Sequence, residues 1–331
     1  MSTAGPLSSW HRPLVWFAGS MVVMTFVSIG GLIVDDRVLT GAPIWFKPLK
    51  FSVSFVAYAL SLAWMLSLLT RARRVGWWAG TVVVVASAVE MVLITTQVFR
   101  GKRSHFNVAT PFDSAIFNAM GITVAVLWGG ALVIAILLFR ARIADRASAW
   151  AVRLGAVIAL AGAGVGFLMT QPTPEQRAAG GRDGSDFVGA HSVGVADGGP
   201  SMPLTGWSTT GGDLRIGHFV GMHALQALPL VLLLLAALAP RFTRLRDDRV
   251  RTRLTLVAAG TYAALFLLVT WQALRGQSLI HPDAPTLTTL ALILAGAAAA
   301  SWASVAVRGR PPVDTATAPA TNSGTKTGVS A

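Results

Sequence analysis

Two short segments, 175 residues apart, carry the same polar residues at the same spacing. Gln97-Val98-Phe99-Arg100-Gly101 and Gln272-Ala273-Leu274-Arg275-Gly276 both read Gln-x-x-Arg-Gly, and each is followed by a Ser and a His: Ser104 and His105, then Ser278 and His281. The Arg guanidinium is a planar fork of donors that matches a carboxylate or a phosphate. His changes charge near neutral pH. Together with Gln, such a set suits recognition of an anion. A lone cation at a membrane edge usually snorkels to the headgroups instead, but snorkelling does not explain recurrence at matched positions beside Gln and His.

Four further residues extend the set. Glu90 stands deep in an apolar run, roughly 15 Å below Arg100 at 1.5 Å per helical residue. Ser87, Glu90 and Gln97 share one helix face. An ionisable residue at that depth is a functional candidate; the structural alternative is a Glu that hydrogen-bonds a neighbouring helix and holds the bundle together. His218 and His223 are five apart, about 140° around a helix, so they do not chelate one metal from one face. Gln226 lies nearer the His223 face.

The elements that must position these residues are membrane helices. Hydrophobic residues make up 53% of the chain and charged residues 12%, against about 25% charged in a soluble domain. Eight apolar runs are expected to span, at roughly 14–34, 49–69, 79–99, 114–139, 150–170, 216–238, 253–274 and 286–307. The fold class is therefore an all-α integral membrane protein. The first run is read as a retained helix rather than a signal peptide.

The net charge of +13 does not point to nucleic acid, because the arginines sit in short loops between apolar runs and orient the helices. Basic loops around Arg71, Arg140, Arg241 to Arg253 and Arg308 are expected to be cytoplasmic, which puts both termini inside. The Arg-rich, Ala-, Val- and Gly-rich composition suggests a bacterial inner membrane. The sequence holds no Cys, which excludes disulfides and thiolate chemistry. The other loops, about 35–48, 100–113, 171–213 and 275–285, are expected outside. The third is long and Gly-rich and carries no strand or helix signal. The tail 311–331 is expected to be disordered.

The Gln-x-x-Arg-Gly match joins the ends of the third and seventh spans, so the second span should match the sixth. Written without gaps, Lys50 falls on Arg215 and Tyr58 on His223. These echoes predict a four-plus-four parallel repeat, with halves 1–148 and 149–310 and a site at their interface. A third echo, from Asp113 and from Asp213, does not fit that register and is read as chance or as shared helix-start chemistry.

The expected function is binding or transport of an anionic small molecule or lipid headgroup in an outward-facing pocket. Its expected residues are Lys50, Glu90, Gln97, Arg100, His105, Arg215, His218, His223, Gln226, Gln272 and Arg275. The first alternative rests on a resemblance. Eight helices in two four-helix halves with histidines at their outer ends resemble the architecture of haem A synthases. That resemblance implies haem as cofactor and axial ligands drawn from His218, His223 and His281. The chain departs from the family in its first half, where Val53 or Tyr58 stands in place of a second His, and it lacks the family's acidic motifs. The second alternative is a lipid-phosphate hydrolase or transferase with His105 or His218 as base, oriented by Asp113 or Asp213.

Overall fold

The computed structural model describes residues 9–180 and 185–306. The expected tail at 311–331 lies outside the described residues. Ten α-helices carry the fold. They are α1 (Arg12–Val34), α2 (Phe46–Ser67), α3 (Arg73–Arg100), α4 (Pro111–Arg140), α5 (Arg146–Met169), the five-residue α6 (Pro174–Ala178), α7 (Leu214–Met222), α8 (Ala224–Leu238), α9 (Asp248–Leu274) and α10 (Ala284–Ala306). Seven of them are long and apolar enough to cross a membrane, and α7 with α8 makes an eighth if that bent pair is one span.

Short side-chain caps fix several of the boundaries. Thr110 caps α4 by accepting from the Asp113 N–H, and Asp145 caps α5 by accepting from Ser148. These contacts satisfy N–H groups that no helical carbonyl reaches. Gly101 ends α3 at a φ of +67°, a left-handed turn in which a Cβ is strained.

α1 packs on α2 and α3, α2 on α3, and α3 on α4. In the second half α5 packs on α7, α8 and α9, α9 on α7 and α8, and α9 on α10. The order of neighbours is the same in both halves. They join where α4 meets α5 and α2 meets α8. Large apolar side chains such as Trp16, Phe26, Phe99, Leu233, Leu292 and Trp302 are exposed on the outside of the bundle, which is the surface a bilayer covers.

Two local features differ from the sequence expectation. The sixth span is broken: α7 and α8 meet at His223 with a bend of 46°. Gly162 of α5 and Gly221 of α7 are in backbone contact there, since a Cβ on Gly221 would lie 2.4 Å from the Gly162 Cα. The Tyr262 hydroxyl donates to the Val220 carbonyl at 2.7 Å, satisfying an acceptor near the end of α7. Second, the described parts of the segment 171–213 are organised. Thr173 and Gln176 form a capping box that starts α6, a signature present in the sequence with Pro174 at the first helical position. Strand β3 (Ser192–Val193) pairs antiparallel with β4 (Gly212–Asp213). Near the first long loop, β1 (Val38–Leu39) pairs with β2 (Ala42–Pro43). These loops gather on one end of the bundle, beside the start of α2 and α7 and the end of α3.

Candidate functional site

Beneath those loops lies a cavity of about 380 Å³ between the two halves. α2 contributes one helical stripe to it: Lys47, Lys50, Phe51, Ser54, Phe55 and Tyr58. The helix begins at Phe46, three residues before the expected span, so both lysines lie in its first turns on one face. α3 adds Glu90, the loop after it adds Lys102, Arg103 and His105, and the long loop adds His191 and Asp197. Arg215 and His218 enter from α7, His223 from the break, and Gln226 from α8.

Glu90 and His105 form the centre of the polar wall. Glu90 is 2% exposed. Its Oε2 accepts from Thr123 at 3.0 Å, and its Oε1 has no hydrogen-bond partner. His105 Nδ1 accepts from Lys47 Nζ at 3.0 Å, with Ser104 Oγ at 3.1 Å. The ring proton therefore belongs on Nε2, which faces Glu90 Oε1 at 3.4 Å. Burial, with the positive Lys47 beside it, holds the His105 pKa well below the ordinary value.

His191 is a second such group. Asp197 accepts from the His191 ring Nδ1 at 3.2 Å and from the backbone N–H groups of His191 and Ser192. Burial lowers the His191 pKa and outweighs the bond to Asp197. Phe106 packs between these histidines, with ring centroids 6.0 Å from His105 and 4.9 Å from His191. Its φ of +66° is a strained backbone for a bulky side chain. His218 Nδ1 donates to the Gly162 carbonyl at 2.9 Å, so its Nε2 carries the lone pair.

The charge of this wall is unbalanced. Lys47, Lys50, Lys102, Arg103 and Arg215 line it, against the carboxylates Glu90 and Asp197. Arg215 is matched by Asp213 at 2.5 Å. Lys47 and Lys50 have no carboxylate within ion-pair distance among the described residues.

Of the residues expected from the sequence, Lys50, Glu90, His105, Arg215, His218, His223 and Gln226 line this one cavity. Gln97, Arg100, Gln272 and Arg275 do not. Gln97 donates to the Arg103 carbonyl at 3.1 Å, and Gln272 donates to the Ser278 carbonyl at 2.8 Å, each six residues onward. Arg100 pairs with Asp113 at 2.6 Å, and Arg275 pairs with Asp283. Gly101 and Gly276 both take positive φ, +67° and +73°. In each half, then, Gln-x-x-Arg-Gly closes a helix end and ties it to the start of the next helix.

His281 is exposed in the turn before α10 and stands apart from the cavity wall. Asp113 accepts from Arg100, Gln97 and Thr110, and Asp213 accepts from Arg215, so the carboxylates beside histidines are Glu90 and Asp197. Among the described residues no group of three His, Asp or Glu side chains is arranged to hold a metal ion. Sequence reasoning missed Lys47, His191 and Asp197. Lys47 carried a signal, since it precedes Lys50 by three and shares its helix face. His191 and Asp197 lie in an irregular loop, where spacing does not report proximity.

No protein-family model, curated protein or solved structure matches the chain.

Proposed function

We propose that this polytopic membrane protein binds an anionic small molecule or lipid headgroup in the cavity between its halves and moves it across the membrane. The observation that carries the reading is the convergence of Lys47 and Lys50 on a buried wall where, among the described residues, neither has a carboxylate within ion-pair distance. A cation in a low-dielectric site attracts an anion far more strongly than the same cation in water. Arg215 adds a planar donor fork at the same wall. The α7–α8 break opens on the cavity at His223, and discontinuous helices at a central site are a recurrent feature of carriers.

We read the halves as copies of one four-helix unit. Support comes from the shared order of neighbours, from the two Gln-closed turns, and from Lys50 and Arg215 at matching helix starts. The cavity mouth faces outward in this reading, because the basic loops at Arg71 to Arg74, Arg140 to Arg146 and Arg241 to Arg253 lie at the other end of the helices. Gln97, Arg100, Gln272 and Arg275 then shape the rim and do not touch ligand.

Thermal shifts induced by a panel of carboxylates, phosphates and sulfates on purified protein test the reading. At least one anion should raise the melting temperature of the native protein and lose that effect in Lys50→Ala, while Arg100→Ala and Arg275→Ala retain it. A panel with no response, or a response that Lys50→Ala leaves intact, contradicts it.

A further inference from the structure

The polar wall occupies only the loop end of the cavity. Below Glu90 the linings from α2, α4 and α5 are almost wholly apolar. On α4 the lining residues are Val124, Leu127, Trp128, Ala131, Ile134 and Leu138. They recur at three and four as one apolar stripe, part-exposed from Val124 to Ala131 over about 10 Å at 1.5 Å per residue and buried at Ile134 and Leu138. α5 faces it with Ala156, Ala159, Leu160 and Ala163, all apolar. α2 completes the wall with Phe55, Tyr58 and Leu62. Leu138 and Leu62 are 0% and 3% exposed, so the shaft ends in a closed floor.

Resting on the anion-binding reading, we infer that the ligand is a single-chain amphiphile: an anionic headgroup held by Lys47 and Lys50, and one unbranched apolar chain in the shaft. A small hydrophilic anion would leave the shaft to be filled by water with almost no polar partner along it, which apolar cavities do not favour. At about 380 Å³ for chamber and shaft together, the cavity has room for one chain of moderate length beside a headgroup. At the junction of chamber and shaft, Gln226 Oε1 is a buried acceptor without a hydrogen bond, and Glu90 Oε1 faces His105 Nε2 at 3.4 Å but accepts no hydrogen bond. They suit a hydroxyl-bearing linker between headgroup and chain.

The test is binding of n-alkyl phosphates from ethyl to dodecyl, and of the matching carboxylates, to the purified protein in amphipol. Equilibrium dialysis reads it, with protein-free amphipol subtracted. Affinity should rise about fourfold per added methylene and level off once the shaft is full. In Ala131→Phe the levelling should come several methylenes earlier, with ethyl phosphate bound as before. Ala163→Leu supplies the same comparison if Ala131→Phe does not fold. If ethyl phosphate binds and affinity is flat with chain length, or both filled variants level off where the native protein does, the chain inference fails and the anion reading stands. If no alkyl phosphate or carboxylate of any length binds, both fall together.

Discussion

Lys50 and Arg215 reach from opposite halves of the chain to adjacent carbonyls of one loop. Lys50 Nζ donates to Thr205 at 3.1 Å and Arg215 Nη2 to Gly206 at 2.6 Å. The long loop is thereby fastened across the cavity by the first turns of α2 and α7. The two cations differ in what lies behind them. Arg215 also neutralises Asp213, which is 0% exposed, whereas Lys50 has only the Phe46 ring, at 5.0 Å.

Arg215→Ala should therefore destabilise the protein by about 2–3 kcal/mol, because it strands a buried carboxylate. Lys50→Ala should cost less than about 1 kcal/mol. Thermal unfolding of the two variants in one detergent checks the order. A Lys50→Ala loss as large as that of Arg215→Ala would show that Lys50 serves the fold and not a ligand.

Gln97 and Gln272 should both prove structural, Gln97 the more so because it also donates to Asp113. Each is buried, at 0% and 3% exposure, and each donates to a carbonyl that closes a helix end. Replacing either by Ala removes that buried bond and should cost about 1–3 kcal/mol. The turns are separate, so the double variant should show the sum of the two losses. A loss near zero in either variant would weaken the view that the turns are copies.

Tyr262→Phe removes the hydroxyl that satisfies Val220 beside the helix break. The freed carbonyl should loosen the α7–α8 junction. Amide exchange around His223 is expected to accelerate severalfold, with the rest of α9 unchanged. Exchange no faster than in the native protein would mean that the glycine contact between α5 and α7 holds the bend unaided.

The histidines set a pH dependence. His105 and His191 lie in loops outside the spans, and burial holds both pKa values below the ordinary one. An unfolded chain takes up their protons near pH 6.5, whereas the folded chain does not. Their stabilising contribution is thus complete above about pH 6.5 and shrinks as pH falls below it. The melting temperature should drop by a few degrees between neutral and mildly acidic pH. His105→Gln and His191→Gln should each flatten that slope. A melting temperature that rises on acidification contradicts the assignment.

Much of the architecture was legible in the sequence because a bilayer imposes length and hydropathy on each span. The apolar runs located the seven long helices and the bent α7–α8 pair closely. The break at His223 was not legible: it arises where Gly162 and Gly221 touch, and that contact exists only once α5 and α7 are packed. Tertiary geometry also decided which polar residues meet. The Gln-x-x-Arg-Gly pair stood out as wording, yet both copies face the turns, while Lys47, His191 and Asp197 stood outside the expected set and line the cavity. Spacing reported which residues share a helix face. It did not report which face turns inward.

The field inside the cavity can be measured before any ligand is known. The chain has no Cys, so Ser54→Cys places a single thiol on the cavity wall, one turn below Lys50. Its reaction rates with an anionic and a cationic methanethiosulfonate of similar size, each divided by the rate for a free small thiol, give the preference directly. The anionic reagent should react faster, by about tenfold or more at low salt, and Lys50→Ala should reduce that ratio. Equal rates, or faster reaction with the cationic reagent, would contradict an anion site in this cavity.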